Sequence, residues 1–445
     1  MKKIFYRIQI IQSSFWFVPL LLTVAGVILA IGLVYLDAQI DFSDSRVFQH
    51  IFTESASSAR TVLSVIAGAM IGIAGTVFSI TLVVLTLASS QFGPRLLRNF
   101  MYDRLNQSVL GLYVSTYIYC LIVLNSVKDN DHFSFIPSLS ILFAILLTII
   151  CIVFLILYIH NVSMSIQPSR VISTIGTELK KVIETSFSNN KLLDGAKDYE
   201  TAVAKIKDQL SIKSNIKSVT HGYLQYIDIE PLLDLSVQDN LLIHIKFKPG
   251  EYVINGATIA ETYCATEIEE STVKAIRKNF VTANSRTAFQ DSEFAIDQIV
   301  EIACKALSPG INDPFTAIIC IDYLSSVICD FTNVVFPPKF VEDSNQVVRI
   351  IKRPLTFEAM LNSAFNQIRQ FGAQSPAVII RLTDALATIL EFAKNDEHVE
   401  VVRTHLNKVF ETGKMSFENT QDYADLRERF EDILFFENKE PSSAD

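Results

Sequence analysis

Charge is scarce in this sequence, and whole segments lack it altogether. Asp, Glu, Lys and Arg make up 19% of the 445 residues, and half of the chain is hydrophobic. A soluble protein of this length carries closer to a quarter charged residues. The deficit lies in the first third; the rest reads as ordinary soluble protein, so more than one domain is expected.

Cysteine is sparse as well. Cys120, Cys151, Cys264, Cys304, Cys320 and Cys329 stand singly, with no C-x-x-C pair and no Cys/His cluster at zinc spacing. This argues against a disulfide framework and a metal site, and leaves isolated buried thiols as the reading. No dense Lys/Arg run occurs and the net charge is −9, which argues against a nucleic-acid partner. Walker, dinucleotide, H-E-x-x-H and G-x-S-x-G signatures are all missing, so no cofactor is implied and no residue nominates itself as catalytic.

What is present is four long apolar runs. A spanning helix needs about 20 mostly apolar residues. Residues 11–36, 61–94, 109–127 and 135–159 qualify. The N-terminal Met1-Lys2-Lys3 start resembles a signal peptide, but the run beyond it is too long and lacks a cleavage site, so it reads as a retained anchor. Trp16 and Tyr35 suit the two interfaces of the first span. Lys2, Lys3, Arg7, Arg95, Arg98, Arg104, Arg170, Lys180 and Lys181 fall on one side of the alternation, which places both termini in the cytoplasm. No ionisable residue lies deep in a span, which argues against a proton-driven antiporter.

The second run is unusual. The stretch between Arg60 and Arg95 is uncharged, and as a helix of about 50 Å it exceeds the bilayer core. It must tilt, project or break. Ser64, Gly68, Gly72, Gly75, Ser79, Thr86 and Ser90 fall near one helical face. Small residues of this kind pack helices closely, and Gly68-x-x-x-Gly72 has the small-xxx-small form. The same stripe would line an uncharged conduit in an oligomer. Pro94 ends or kinks the helix, and Arg95 and Arg98 beyond it are candidates for gating or for meeting lipid phosphate.

The remainder divides into a helical connector (161–214), a small β-rich module (215–260), a helical cytoplasmic domain (261–436) and a disordered acidic tail (437–445), after a transmembrane domain of residues 1–160. Leu241 to Lys248 alternates with period two, and Pro249-Gly250 and Asn255-Gly256 are turns. From Ser271 onward the chain reads as helical. In Ser308-Pro309-Gly310-Ile311-Asn312-Asp313-Pro314, Gly310 is expected to stop one helix in the left-handed conformation. Asn312 or Asp313 then caps the next, with Pro314 in its first turn. Asp291, Glu293, Glu301, Asp313 and Asp322 form an imaginable acidic cluster, though charges along an amphipathic helix more often form a solvated face. The fold class is thus an α-helical membrane protein, with four transmembrane helices followed by a soluble α+β domain of small β-module plus helical bundle.

Three strings carry a resemblance: Ser89-Ser90-Gln91-Phe92-Gly93-Pro94-Arg95, His221-Gly222-Tyr223-Leu224-Gln225 and Ala306-Leu307-Ser308-Pro309-Gly310-Ile311-Asn312-Asp313-Pro314. With them the chain resembles, over nearly its whole length, a bacterial family of predicted inner-membrane proteins whose domain has no assigned function. The resemblance implies the topology and an inner-membrane location, and no activity. The expectation from the residues is a homo-oligomeric channel or passive transport protein whose partners are the bilayer and further copies of itself. A non-conducting membrane scaffold or envelope-stress protein, and a membrane-anchored enzyme acting on lipid, are the alternatives.

Overall fold

The computed structural model describes residues 14–39, 55–93, 103–130, 133–165, 167–187 and 199–437. The chain forms two compact units, Met1–Arg170 and Val171–Asp445. The first holds four long apolar helices: α1 (Phe17–Gln39), α2 (Ala56–Phe92), α3 (Arg104–Ser126) and α4 (Ser138–Ser165). They coincide with the four apolar runs. The helix α4 continues past His160, so the boundary between the units lies beyond the expected residue 160. The long second run does not break: α2 is one helix of 37 residues, about 55 Å at 1.5 Å per residue.

The least hydropathic of the four, α3, packs against the other three. Two glycines set its distance from α1. A Cβ on Gly26 would lie 2.1 Å from Ser115 Oγ, and one on Gly111 would lie 2.8 Å from Pro19 Cα. Only glycine allows that approach. The Ser115 hydroxyl donates to the Leu22 carbonyl across the same contact at 2.9 Å.

Buried hydroxyls in an apolar bundle need acceptors, and here they tie helices together. Tyr113 and Tyr119 of α3 donate to the carbonyls of Cys151 (2.8 Å) and Ser140 (2.9 Å) on α4. The Tyr158 hydroxyl of α4 donates to the Val77 carbonyl of α2 at 3.0 Å and lies 2.8 Å from the Thr81 hydroxyl. Asp37, near the end of α1, caps α4, its carboxylate accepting from the Leu139 and Ser140 amides, both at 2.9 Å. Arg60 donates to the Val127 carbonyl at the end of α3 at 3.1 Å. After α3 comes a short antiparallel pair, β1 (Lys128–Asn130) with β2 (Phe133–Phe135).

In the second unit, α5 (Pro168–Phe187) and α6 (Tyr199–Gln209) precede the β-structure. The strands are β3 (Ile212–Lys217), β4 (Gly222–Ile227), β5 (Leu242–Ile245), β6 (Tyr252–Val253), β7 (Thr258–Cys264), β8 (Phe280–Ala283), β9 (Phe340–Glu342) and β10 (Val348–Ile351). Two sheets result, ordered β3-β7-β5-β10-β9 and β6-β4-β8, with only β5–β10 parallel. The helices α7 (Ile229–Gln238) and α8 (Glu270–Arg277) contribute Leu232 and Ile276 to a core with Ile243, Ile245 and Ile350. Leu242, Val348 and Ile351 pack instead with Val203 and Leu210, from α6 and its end. The central strands are therefore buried on both faces, which is why their sequences run apolar rather than alternating.

A reading of everything after Ser271 as helical is corrected by β8, β9 and β10. Val348-Arg349-Ile350-Ile351 is too short to show a period, and its pairing with β5 comes from far away in the chain. The rest is helical: α9 (Ser292–Ala306), α10 (Pro314–Phe331), α11 (Phe357–Phe371), α12 (Pro376–Phe392), α13 (Asp396–Ser416) and α14 (Thr420–Glu437). Long and apolar enough to cross a membrane, α10 instead packs among α9, α11 and α12, and its Ile321, Leu324, Val327 and Ile328 are buried there.

Candidate functional site

The small-residue stripe of α2 lies on the outside of the first unit. Ser64, Gly68, Gly72, Gly75, Ser79, Thr86 and Ser90 are all exposed. At 3.6 residues per turn they fall within about 80° of arc. The opposite face, with Ala59, Leu63, Met70, Ala74 and Val77, is buried against the bundle. A Cβ built on Gly68, Gly72 or Gly75 meets nothing within 4 Å. Among the described residues these glycines therefore make no close approach, unlike Gly26 and Gly111, and no other helix packs closely against them. Ser57 and Thr61 extend the same exposed face toward the N-terminus of α2.

The hydroxyls along this face fold back onto their own helix. Ser79 Oγ donates to the Gly75 carbonyl at 2.9 Å, Thr86 Oγ1 to Leu82 at 2.9 Å and Ser90 Oγ to Leu87 at 2.8 Å. Each retains acceptor lone pairs for an outside donor. The contrast with the other outer surfaces is chemical. The exposed side chains of α1 include Leu20, Leu21, Val24, Ile28 and Ile31, and those of α4 include Ile145, Leu146, Ile149, Ile152 and Val153. Such surfaces suit lipid tails. Large apolar residues on α2, among them Val65, Ile71, Phe78 and Val83, flank the stripe. The helix ends at Gly93, whose φ is 103° and whose amide donates to the Ser89 carbonyl. Arg95 and Arg98, the gating candidates, lie outside the described residues, as does the acidic tail from residue 438.

In the second unit, the corner between α9 and α10 is built as a helix junction. Gly310 does not take the left-handed conformation; Asn312 does, with φ 50°. Asparagine tolerates that region better than most side chains. The Asp313 carboxylate accepts from the Thr316 amide at 3.1 Å and its hydroxyl at 2.6 Å, and Pro314 opens α10. A carboxylate engaged there leaves no room for an anion at that helix start.

The imagined acidic cluster is dispersed. Asp291 caps α9 and takes a bidentate pair from Arg286, at 2.7 and 3.0 Å. Burial works against the Arg286 guanidinium, but the carboxylates of Asp291 and Asp297 outweigh it and raise its hold on the proton. Glu293 pairs with Lys248 at 2.7 Å and Asp322 with Arg381 at 2.6 Å. Among the described residues, no group of His, Cys, Asp and Glu is arranged to hold a metal ion. The residues that sequence reasoning missed are Asp37, Arg60 and Tyr158. Their only signal was polarity at the edge or within an apolar run.

The chain matches the family profile described as "Predicted membrane protein (DUF2254)" over residues 12–388. It is similar to uncharacterized proteins of Mycobacterium bovis and Mycobacterium tuberculosis, each 26% identical over 427 residues, covering 93% of this chain and 79% of the relative. No solved structure matches it. Four apolar helices with lipid-suited outer surfaces and a profile match over most of its length lead to one conclusion: the chain belongs to this bacterial family of predicted membrane proteins.

Proposed function

We propose that the protein is a homo-oligomeric channel or passive transport protein of the bacterial inner membrane. In this reading α2 lines the path, both termini are cytoplasmic, and the second unit assembles or gates the pore. One observation carries the proposal: the protomer turns a Gly/Ser/Thr face outward, interrupted by Leu82, while its neighbouring outer surfaces are large and aliphatic. Lipid tails gain little from glycine, whereas a second copy or a column of water gains close approach and hydroxyl partners. The absence of fixed charge on the face fits passive permeation rather than ion coupling.

Cysteine scanning along Ser64, Gly68, Gly72, Gly75 and Ser79 in the membrane-embedded protein tests it. The native Cys120 and Cys151 are buried and give a low background. A water-lined path predicts modification by a membrane-impermeant thiol reagent at these positions and none at Ala59 or Met70. If the stripe stays unmodified until detergent is added, it is dry, and a non-conducting assembly is the better reading.

A further inference from the structure

On one face of the five-stranded sheet, three neighbouring strands and a helix gather lysines around a single carboxylate. His244 of β5 lies directly across from Glu261 of β7, and Lys213 of β3 directly across from Tyr263 of β7. Side chains alternate along a strand, so Glu261 and Tyr263 share a face, and Lys246 falls on the same face as His244. The Glu261 carboxylate receives Lys213 at 2.8 Å and Lys246 at 2.9 Å. The His244 Nδ1 lies 3.5 Å from it, and the Tyr263 hydroxyl donates to it at 3.3 Å. Lys207 of α6 stands 5.1 Å over the Tyr263 ring, and Lys213 stands 6.0 Å from the same ring. Among the described residues Lys207 has no carboxylate partner.

The cluster is out of balance. Glu261 is largely enclosed and neutralises one ammonium, leaving two of the three lysines uncompensated in a chain that is acidic overall. Burial opposes ionisation of Glu261, but Lys213 and Lys246 outweigh it and hold its carboxyl at about 2. Burial, then the nearby Lys246, lower the pKa of His244 against the pull of Glu261, with Lys207 and Lys339 adding to the lowering. Lys246 donates to His244 Nδ1 at 3.3 Å, which leaves the Nε2–H of the neutral ring as a further donor. Two unmatched positive charges, with ammonium donors on separate strands and a helix, suit a compact dianion with several oxygens.

We propose that this cluster binds a phosphoryl group, carried by a small phosphate ester or by a lipid headgroup, with Lys207, Lys213 and Lys246 as its cationic ligands. Glu261 is a positioning residue that holds Lys213 and Lys246 toward each other. The site is independent of the pore reading and stands or falls without it.

The test is equilibrium binding of radiolabelled inorganic phosphate, at constant ionic strength, to the full-length protein in phosphatidylcholine nanodiscs. Lys207→Gln is the main variant, because that side chain makes no ion pair within the described fold. Lys246→Gln is the second, and Lys414→Gln, which pairs with Glu411 along its own helix, is the control. The proposal predicts saturable binding weakened about tenfold or more by Lys207→Gln, the equivalent of one charge-assisted hydrogen bond, weakened also by Lys246→Gln and unchanged by Lys414→Gln. Repeating the titration in nanodiscs containing phosphatidylglycerol separates the sources. Displacement of phosphate identifies a headgroup, and unchanged binding identifies a soluble ester. Absence of saturable binding, or equal effects of Lys207→Gln and Lys414→Gln, overturns the proposal.

Discussion

The two kinds of glycine in the membrane unit should respond oppositely to the same substitution. At Gly111 an alanine Cβ would lie 2.8 Å from the Pro19 Cα and 2.9 Å from Leu22 Cδ1. Carbon atoms pack at about 3.5–4.0 Å, so α1 and α3 must part by up to about 1 Å. Overpacking of this kind costs about 1–3 kcal/mol. At Gly72 the same Cβ meets nothing within 4 Å, and replacing a mid-helix glycine by alanine contributes up to about 1 kcal/mol to the helix. Gly111→Ala should therefore lose stability and Gly72→Ala should keep or gain it. Reversible unfolding in mixed micelles measures both, at two protein concentrations so that loss of assembly is separated from loss of protomer stability. If Gly72→Ala destabilises the dilute protomer as much as Gly111→Ala does, the stripe is packed within the chain and the outward face does not exist.

Asp37→Asn removes the charge that caps α4 and weakens the acceptors for the Leu139 and Ser140 amides; unfolding should show a loss of about 1–2 kcal/mol. Asp291→Ala strips the half-buried Arg286 of its bidentate partner while Asp297 still pairs with it, and should cost about 1–3 kcal/mol. Gly250→Ala, at φ 94° and with its Cβ 2.2 Å from Asp291 Oδ2, should disturb the same joint, and thermal unfolding of the two variants compares them. His405 is buried and donates from Nε2 to Asn362 Oδ1 at 3.1 Å. Burial, then Lys408 and Arg369, push its pKa down to about 4. The unfolded chain thus binds the proton first, so stability is full above about pH 6.5 and falls as the pH drops from there to about 4, by roughly 3 kcal/mol. Unfolding measured from pH 7.5 to 4 should show that loss in the native protein and a flatter profile in His405→Gln.

The spans were legible because hydropathy is local: each long uncharged run became one helix. The stripe was legible as a shared face, since spacing alone fixes which residues of a helix point the same way. The direction of that face was not, because it depends on where α1, α3 and α4 pack, and Gly68-x-x-x-Gly72 has the same local form whether buried or exposed. The packing glycines stand in the same form, Gly26-x-x-x-Ala30 and Gly111-x-x-x-Ser115, so the motif alone does not tell the buried pair from the exposed one; their close approach depends on Ser115 and Pro19 of the facing helices. In the second unit, Pro249-Gly250 and Asn255-Gly256 announced their turns, with Gly250 and Gly256 both at positive φ. The strand β10 announced nothing, because its partner β5 is distant in sequence. The lysine cluster was hidden for the same reason: Lys207, Lys213, Lys246 and Glu261 converge only when α6, β3, β5 and β7 assemble.

The most direct test of a path along α2 is ion flux and single-channel current from the purified full-length protein in liposomes, with Gly72→Leu beside it. A pore lined by the stripe predicts current in the native protein, reduced or altered in unitary size by a leucine side chain at Gly72, while the variant stays folded and assembled. Silence of the correctly inserted native protein across voltage, membrane tension and pH, or current indifferent to Gly72→Leu, would contradict it.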